Sequence, residues 1–317
     1  MYIFPNKILY SKKEFIGYFI NQLNLTRNDI LLVDRSKNIG QFILENKKEG
    51  HLGVVIHAEH YNYPNSNAQF VLWNSNYEYM FNHAKYIDFY VVATQDQKAV
   101  LSQQFKDYKG LSLKIYTISV GNIKNLKYEQ NRKPYSIITA SRLANEKHVD
   151  WLVKAVIEAH KINPEIKFDI YGEGSEKKKL QQIIDDFDAN SYIHLKGHVD
   201  LTEVYKSYQL YLSGSTSEGF GLTLMEAVGS GLGMIGFDVY YGNTTFIKDG
   251  INGFRISLDT SNLDEDDIVA NISKKIVLFF EHNIEQMRDQ SYKIADKYLI
   301  ENIQKEWQTL IDEVEND

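Results

Sequence analysis

The sequence predicts an α/β protein with two Rossmann-like domains, the second of which holds a doubly wound parallel sheet. Short β-branched runs alternate with helical stretches from residue 134 onwards, a pattern typical of parallel βαβ units. A looser alternation of the same kind precedes it, and the polar segment NLKYEQNRKP at 125–134 separates the two parts. The length of 317 residues is enough for two hydrophobic cores of ordinary size.

The second domain, predicted over residues 134–290, contains six candidate strands. In chain order they are YSIITASRL, IKFDIYGEG, SYIHLKG, QLYLSGS, GMIGF and NGFRI. The helical stretches between them are VDWLVKAVIEAHKI, SEKKKLQQIIDDF, LTEVYKSY and GLTLMEAVGSG. Ligands of such sheets usually bind beyond the carboxyl ends of the strands, so we expect the functional site at that edge.

The first domain, predicted over residues 1–133, is also α/β but is short for a complete domain. DILLV, LGVVI and IDFYVVA are its candidate strands. From this short length we expect the domain to be truncated.

Two helix starts in the first domain follow the capping-box pattern. Ser11 and Glu14 precede a helical run that reaches about Leu25, and Thr94 and Gln97 repeat the spacing. Three further helical segments fill residues 265–315, and the end of the chain, 291–317, is expected to pack back on the first domain.

Composition and charge exclude several classes of function. The chain has no cysteine, which excludes disulfides, thiolate zinc sites and cysteine nucleophiles and fits a reducing compartment. The net charge is -7 without a dense basic cluster, which argues against nucleic acid as a partner. No run of about 18 apolar residues is present, as a membrane span would require. We expect a soluble, cytoplasmic protein.

The segment SEGFGLTLMEAVGSG at 217–231 places Glu218 and Glu226 on either side of a glycine-flanked turn that leads into an apolar helix. Backbone N–H groups at the first turn of a helix favour phosphate, because the helix dipole is positive there. The two carboxylates would then hold hydroxyl groups on either side of the phosphates. A sugar nucleotide has this shape, since its diphosphate joins a hexose to a ribose. The N–H groups that could point outward are those of Gly219, Gly221 and Leu222.

The alternative interpretation gives neither acid a ligand. Glu218 would be a favourable acid at a helix start, in a capping pattern with Ser215, and Glu226 would be a surface residue. The segment TASRLANEKHVDW weighs against this alternative, because Arg142 and Lys147 follow a strand and can reach the same crevice, where they would neutralise a diphosphate.

Four segments in the right order resemble the retaining glycosyltransferases of family 4, which have the two-domain GT-B architecture. They are SRLANEK, FDIYGEGSEKKKL, IHLKGHV and SEGFGLTLMEAVGSGLGMIGFDVYYGNTTFIKDGINGF, and the last has the family's E-x7-E spacing. DVYYGNTTFIKDGINGF and VVIHAEHYN are similar to the branch of bacterial peptide O-GlcNAc transferases of serine-rich-repeat adhesins, the GtfA type. The wall-teichoic-acid α-GlcNAc transferases, the TarM type, are similar too and fit slightly less well.

The resemblance implies a role for each matching residue. Arg142 and Lys147 would stabilise the departing UDP diphosphate. Glu218 would lie beside C3 of the donor sugar, and Glu226 would bind the ribose hydroxyls. The residues expected to contact the donor through the backbone, or to allow its close approach, are Gly172, Gly174, His198, Val199, Gly219, Gly221, Leu222 and Thr223.

His57, after the strand GVVI, matches the family's catalytic-domain histidine that faces donor and acceptor, and His60 is the competing candidate. Two histidines in HAEH could suggest zinc, but no matching third ligand is found. We therefore expect no metal and no cofactor besides the donor substrate, UDP-GlcNAc.

The function implied by the resemblance is transfer of GlcNAc, with retention, from UDP-GlcNAc to Ser or Thr hydroxyls of a serine-rich bacterial surface adhesin. The leaving phosphate itself would take the acceptor's proton. A homologous partner subunit of the GtfB type is expected, with a cytoplasmic location at the inner face of the membrane. Wall teichoic acid is the alternative acceptor.

Two other functions compete with the transferase. A non-catalytic partner subunit that binds the acceptor would have no need of Arg142, Lys147, Glu218 and Glu226 together, although a truncated first domain would suit it. An oxidoreductase on a dinucleotide fold would require GxGxxG after a first strand, whereas FDIYGEGSEK supplies only GxG.

Overall fold

The computed structural model describes residues 2–3, 9–10, 12–35, 37–46, 49–62, 71–258 and 264–316. The chain forms two compact units. Unit 1 comprises Met1–Val120 and Gln304–Asp317, and unit 2 comprises Gly121–Ile303. The boundary expected from the sequence, between residues 133 and 134, lies within unit 2. Within the described part of the chain, no helix combines the length and the apolar character needed to cross a membrane.

Unit 1 contains a parallel sheet of four strands and a short antiparallel pair. Its strands are β1 (Tyr2–Ile3), β2 (Leu9–Tyr10), β3 (Ile30–Asp34), β4 (His51–Ile56), β5 (Phe89–Val92) and β6 (Ile115–Thr117). β1 pairs with β2, and the parallel sheet has the order β3-β4-β5-β6. The helices are α1 (Lys12–Gln22), α2 (Lys37–Asn46), α3 (Glu78–Asn82) and α4 (Gln95–Lys109).

The three strands expected in the first domain are confirmed as β3, β4 and β5. Thr94 is confirmed as the residue that caps α4, because its hydroxyl accepts a hydrogen bond from the N–H of Gln97 at 3.1 Å. Gln97 does not complete the reciprocal box, since its side chain accepts from the N–H of Ala93 instead. Ser11 lies outside the described residues, and α1 ends at Gln22. β6 was not anticipated, because three residues are too few to show an alternation.

Unit 2 is built on a parallel sheet of six strands. They are β7 (Ser136–Ala140), β8 (Lys167–Tyr171), β9 (Ile193–Gly197), β10 (Leu210–Ser213), β11 (Gly233–Phe237) and β12 (Gly253–Ile256). The helices of this part of the chain are α5 (Val149–Ile162), α6 (Lys177–Asp186), α7 (Leu222–Gly229), α8 (Gly242–Phe246), α9 (Glu265–Glu281), α10 (Ile284–Asp296) and α11 (Ile300–Glu315). Residues of α11 from Gln304 onwards belong to unit 1.

The strand order of this sheet is β12-β11-β10-β7-β8-β9. The chain therefore starts at β7 in the middle, proceeds outward through β8 and β9, and returns to the other side of β7 with β10. The strand order reverses between β7 and β10, and ligands of such sheets bind in a crevice at the carboxyl ends of the strands at this point. This is the edge at which the sequence predicted the site.

All six strands expected in the second domain are confirmed, but the expected helix LTEVYKSY is wrong. The structure has only a 3-10 turn there, at Tyr205–Ser207. Leu201, Val204, Tyr205 and Tyr208 have helical spacing, which explains the prediction. Tyr208 is already extended, with φ -107° and ψ 161°, because the chain has to enter β10 two residues later.

Alternation along β8 shows how the sheet separates apolar from polar contacts. Phe168 and Ile170 are fully buried in the apolar core shared with α5, α6 and α9. Asp169 and Tyr171 face the other side, as expected for a period of two. There, Asp169 accepts a hydrogen bond of 2.5 Å from the hydroxyl of Tyr208. The buried core thus fixes the strand ends from which the site loops leave.

Candidate functional site

Two loops of unit 2 meet at the crevice between β7 and β10, and Gly214 makes their close approach possible. A Cβ atom on Gly214 would lie 2.5 Å from the carbonyl oxygen of Lys147 and 2.8 Å from that of His148. Only glycine allows the two backbones to touch at this distance. As a result, the loop after β10 is pressed against the loop that contains Lys147.

Lys147, Ser215 and Glu218 form a polar network in this crevice. The ammonium of Lys147 donates to a carboxylate oxygen of Glu218 at 2.8 Å and to the hydroxyl of Ser215 at 3.1 Å. The side chains of Lys147 and Glu218 are 18% and 20% exposed, so the ion pair is shielded from bulk water more than a surface pair is. The structure therefore brings together two of the residues predicted from the sequence.

The helix that follows begins with an uncapped turn. Gly221, the residue before α7, is in the left-handed conformation with φ +85° and offers no side chain to cap the helix. The hydroxyl of Tyr211 lies 3.0 Å from that of Thr223 and 3.0 Å from the carbonyl oxygen of Ala140, which ties the first turn of α7 to β7 and β10. Leu222 is half exposed at this turn. The arrangement leaves the positive end of the helix dipole available to an anion.

This geometry also decides against the capping interpretation of Ser215 and Glu218. α7 begins at Leu222, four residues after Glu218, so neither residue caps it. The backbone of Glu218 instead joins a neighbouring segment, since its carbonyl oxygen accepts from the N–H groups of Tyr241 and Gly242 at 2.7 and 2.8 Å. Gly219 lies between this junction and the buried ring of Phe220.

Glu226, one turn into α7, lines a cavity of about 360 Å³. The other walls come from the segment 122–127 and the loop 200–205. Although the Glu226 side chain is exposed, the concave surroundings withdraw its carboxylate from bulk water, which raises its pKa. The hydroxyl of Tyr205 opposes this increase in pKa, and the charge of Asp200 adds to it. Glu226 is thus exposed, as the alternative interpretation expects, and at the same time lines a cavity.

Arg142 lies on the same loop as Lys147 but does not join its network. Its guanidinium, 76% exposed, pairs with Glu146 at 3.0 Å. An exposed ion pair of this kind contributes about 0–1 kcal/mol, so the side chain can exchange Glu146 for a ligand at little cost. The structure places Arg142 at the predicted edge of the sheet without showing it in contact with Lys147 or Glu218.

Gly172 and Gly174 serve the packing of the site loops. A Cβ atom on Gly172 would lie 1.9 Å from the carbonyl oxygen of Ser141, and one on Gly174 would lie 2.2 Å from that of Leu143. Gly172 also has φ +137°, a conformation that residues with a side chain rarely adopt. The two glycines thus hold the loop after β8 against the loop that contains Arg142 and Lys147.

His198 and Val199 follow β9 directly and are exposed at the same edge of the sheet. β8 separates them from β7 in the strand order. The role of these two residues in recognising the base stays a prediction.

In unit 1, His57 follows β4 and is oriented by an acid at the end of the neighbouring strand. Its Nε2 lies 3.0 Å from a carboxylate oxygen of Asp34, the last residue of β3. Its backbone N–H donates to the hydroxyl of Tyr77 at 3.2 Å. Because a carboxylate accepts hydrogen bonds, the proton of the neutral ring belongs on Nε2 and the lone pair on Nδ1.

His60, the competing candidate, is part of the core. It is fully buried, and its Nε2 lies 2.7 Å from the side-chain oxygen of Gln104. Burial lowers the pKa of His60 to about 4, and the hydrogen bond with Gln104 opposes this only in part. A neutral, fully buried imidazole cannot reach a donor or an acceptor, so of the two histidines only His57 is accessible.

Sequence reasoning missed three residues of this description: Asp34, Tyr205 and the polar role of Ser215. Asp34 could have been found, because DILLVD and GVVIH end with polar residues and the carboxyl ends of parallel strands lie at one edge. Tyr205 belongs to the stretch LTEVYKSY, which the sequence predicts as a helix, and no local pattern shows that its hydroxyl lies near Glu226. Among the described residues, no group of three or more His, Asp or Glu side chains could hold a metal ion.

Part of the chain, including the loops of this crevice, matches the model of a known protein family. The model of the family described as "Glycosyl transferases group 1" matches residues 123–277. The UDP-N-acetylglucosamine–peptide N-acetylglucosaminyltransferase GtfA subunit of Streptococcus gordonii is 48% identical over 318 aligned residues, which cover 100% of this chain and 63% of the relative.

Two solved structures are similar across the whole chain. The crystal structure of the pneumococcal O-GlcNAc transferase GtfA in complex with UDP and GlcNAc has a TM-score of 0.91 and 49% identity, and the match covers 99% of this chain and 62% of that protein. The crystal structure of a GtfA/B complex has a TM-score of 0.94 and 49% identity, covering 99% of this chain and 63% of that one. The chain thus spans somewhat less than two thirds of the length of these relatives.

Proposed function

We propose that this chain, whose residues 123–277 match the family described as glycosyl transferases group 1, transfers GlcNAc from UDP-GlcNAc, with retention, to serine or threonine hydroxyls. The observation that supports this proposal best is the arrangement around α7. An uncapped helix start lies beside the Lys147–Glu218 pair, and Glu226 lines a cavity one turn further on. These groups match, in order, the diphosphate, hexose and ribose of a sugar nucleotide.

The site residues have the following proposed roles. Lys147, Arg142 and the N-terminus of α7 stabilise the negative charge that develops on the departing UDP. Glu218 binds a hydroxyl of the hexose, and Glu226 binds the ribose hydroxyls. His57, oriented by Asp34, is the histidine of unit 1 that takes part in transfer.

The reaction balances without a nucleophile or a metal from the protein. The bond from the anomeric carbon to the distal phosphate breaks, and a bond from that carbon to the acceptor oxygen forms on the same face. The leaving phosphate takes the proton of the acceptor hydroxyl, so the products are the glycosylated acceptor and UDP. The cations of Lys147 and Arg142 supply the charge that a metal ion would otherwise provide.

We also propose the acceptor, a partner and a location. The acceptor is a serine-rich surface polypeptide, which rests on the similarity to peptide N-acetylglucosaminyltransferases. The partner is a homologous subunit of the GtfB type, which rests on the similarity to a GtfA/B complex. A cytoplasmic location, at the inner face of the membrane, is compatible with a chain that has no cysteine.

Calorimetric titration with UDP, UDP-GlcNAc and UDP-glucose, in the presence of EDTA, tests the donor site. We expect Glu226→Ala to weaken binding of UDP and of UDP-GlcNAc by about tenfold, because a hydrogen bond to a charged group is lost in both. Glu218→Ala should weaken only UDP-GlcNAc, because UDP lacks the hexose. The exposed acid Glu281 of α9 provides the control, and Glu281→Ala should leave all affinities unchanged.

Three results would contradict the proposal. A native chain that binds none of the three nucleotides would exclude a donor site. Equal losses for UDP and UDP-GlcNAc in both variants would show that the two acids do not contact different parts of the ligand. Binding that depends on an added divalent ion, lost in EDTA, would contradict the metal-free mechanism.

A further inference from the structure

The buried hydroxyl of Ser215 has no assigned role in donor binding. Ser215 is 5% exposed, and among the described residues the recorded hydrogen-bond partner of its side chain is the ammonium of Lys147, at 3.1 Å. A buried hydroxyl that is hydrogen-bonded to a charged group of the site can influence the orientation of that group.

The contact with Ser215 occupies one of the N–H donors of Lys147. An ammonium group has three N–H donors and no acceptor. One points to Ser215 at 3.1 Å and one to Glu218 at 2.8 Å. Within the described part of the chain, the third N–H donates to no protein acceptor. Since the side chain is 18% exposed, this third donor can reach a ligand in the crevice.

Ser215 is better placed than Glu218 to fix this orientation. It lies next to Gly214, at which the loop after β10 is pressed against the backbone of Lys147 and His148. Its position therefore follows from backbone packing. The carboxylate of Glu218, in contrast, is assigned to the donor sugar and has to share its oxygens when that sugar binds. Lys147 has a flexible four-carbon stem and would otherwise be poorly fixed.

We propose that Ser215 is a positioning residue for Lys147: it holds the ammonium so that one N–H is presented to the distal phosphate of the donor, and it maintains this orientation when Glu218 engages the sugar. This inference rests on the proposed function, because it requires a nucleoside diphosphate in the crevice.

The first test compares UDP with UMP, which lacks the distal phosphate. We expect Ser215→Ala to lower the affinity for UDP by about fivefold, which is the effect of one hydrogen bond. The affinity for UMP should change by no more than about twofold. Ser215→Thr retains the hydroxyl and should restore UDP affinity. Ser273, also 5% exposed but located in α9, supplies the matched control, so Ser273→Ala should bind both nucleotides normally.

The second test is a double-mutant cycle with Lys147→Met. If Ser215 acts through Lys147, the loss caused by Ser215→Ala should disappear in the Lys147→Met background. Thermal unfolding of each variant separates this effect from a general loss of stability.

The outcomes distinguish this inference from the proposed function. A native chain that binds UDP, together with a Ser215→Ala variant of unchanged affinity, overturns the role of Ser215 alone. The role of Ser215 is also overturned if the losses of UDP affinity in the double-mutant cycle are additive. It is overturned as well if Ser215→Ala lowers the affinities for UDP and UMP equally. A native chain that binds neither nucleotide overturns the proposed function and, with it, this inference.

Discussion

At the scale of single residues, the two acids of the site differ in their surroundings and therefore in their chemistry. Glu218 has a cationic partner at 2.8 Å, the ammonium of Lys147. Glu226 has a hydroxyl neighbour, Tyr205, and lies in a cavity that raises its pKa. The ammonium of Lys147 orients the carboxylate of Glu218, whereas the carboxylate of Glu226 has a raised pKa and responds to pH.

UDP binding should therefore weaken as pH falls through the raised pKa of Glu226. The protonated acid loses its charge and one acceptor site, and with them the strong hydrogen bonds to ribose hydroxyls. We expect calorimetric affinities measured from about pH 8 to about pH 5 to decline earlier than the ordinary pKa of glutamic acid would allow.

Glu226→Gln should remove the part of this pH dependence that comes from the acid, leaving weaker affinity whose remaining pH dependence comes from the terminal phosphate of UDP, a group with a second pKa of about 6. The effect on stability has the opposite sign. Because the pKa of Glu226 is raised in the folded protein, the ionised carboxylate is destabilising above that pKa, and the penalty disappears as pH falls. A native profile that matches that of Glu226→Gln would contradict a ribose contact.

At the scale of elements, close backbone approaches between loops determine the shape of the site. Three glycines, Gly172, Gly174 and Gly214, each have a neighbouring carbonyl oxygen within 1.9 to 2.5 Å of a Cβ position. The loops after β7, β8 and β10 are thus held together by their backbones.

Gly172→Ala should destabilise the protein strongly, because the methyl group would overlap the carbonyl oxygen of Ser141 and the residue has φ +137°. Gly250, in the same unit, provides the control: its φ is +69°, and no described heavy atom lies within 4 Å of its Cβ position. Gly250→Ala should destabilise the protein only by the free energy of placing a side chain in the left-handed conformation, about 1–2 kcal/mol. Thermal unfolding and UDP titration compare the two.

We expect Gly172→Ala to lower the midpoint of unfolding clearly more than Gly250→Ala does and to weaken UDP binding. Equal midpoints for the two variants would show that the loop after β8 can move away from Ser141 freely.

The sequence was sufficient for those elements whose patterns are local. The strands β7 to β12 correspond to short β-branched runs between helices in the sequence. The E-x7-E spacing identified Glu218 and Glu226 on either side of the turn that leads into α7. It was insufficient where long-range contacts decide. LTEVYKSY has the spacing of a helix, but the chain must enter β10, and the pairing of Lys147 with Glu218 joins residues 71 positions apart.

The sequence also left His57 and His60 undecided, because both follow the same strand and only burial distinguishes them. His60 lies beneath Gln104 in the core, 44 residues further along the chain. Such a contact leaves no trace in local periodicity.

At the scale of the whole molecule, the proposed donor contacts of α7 and its neighbouring loops all belong to unit 2. β7 and β10 lie side by side in the middle of its sheet, and their loops carry Lys147, Ser215 and Glu218. Donor binding should accordingly stabilise one of the two compact units directly.

Hydrogen exchange in the presence of UDP measures which segments of the chain the ligand stabilises. At a ligand concentration of about a hundred times Kd, binding stabilises the bound form by about 2.7 kcal/mol, which slows exchange through ligand-releasing openings by about a hundredfold. We expect such slowing in the loop 141–148 and in 214–226, with β3 to β6 of unit 1 unchanged. The Glu226→Ala variant at the same UDP concentration should show much less protection, because a smaller fraction of the variant has UDP bound. Slowing in β3 to β6 equal to that in the two segments of unit 2 would contradict a donor site built by unit 2.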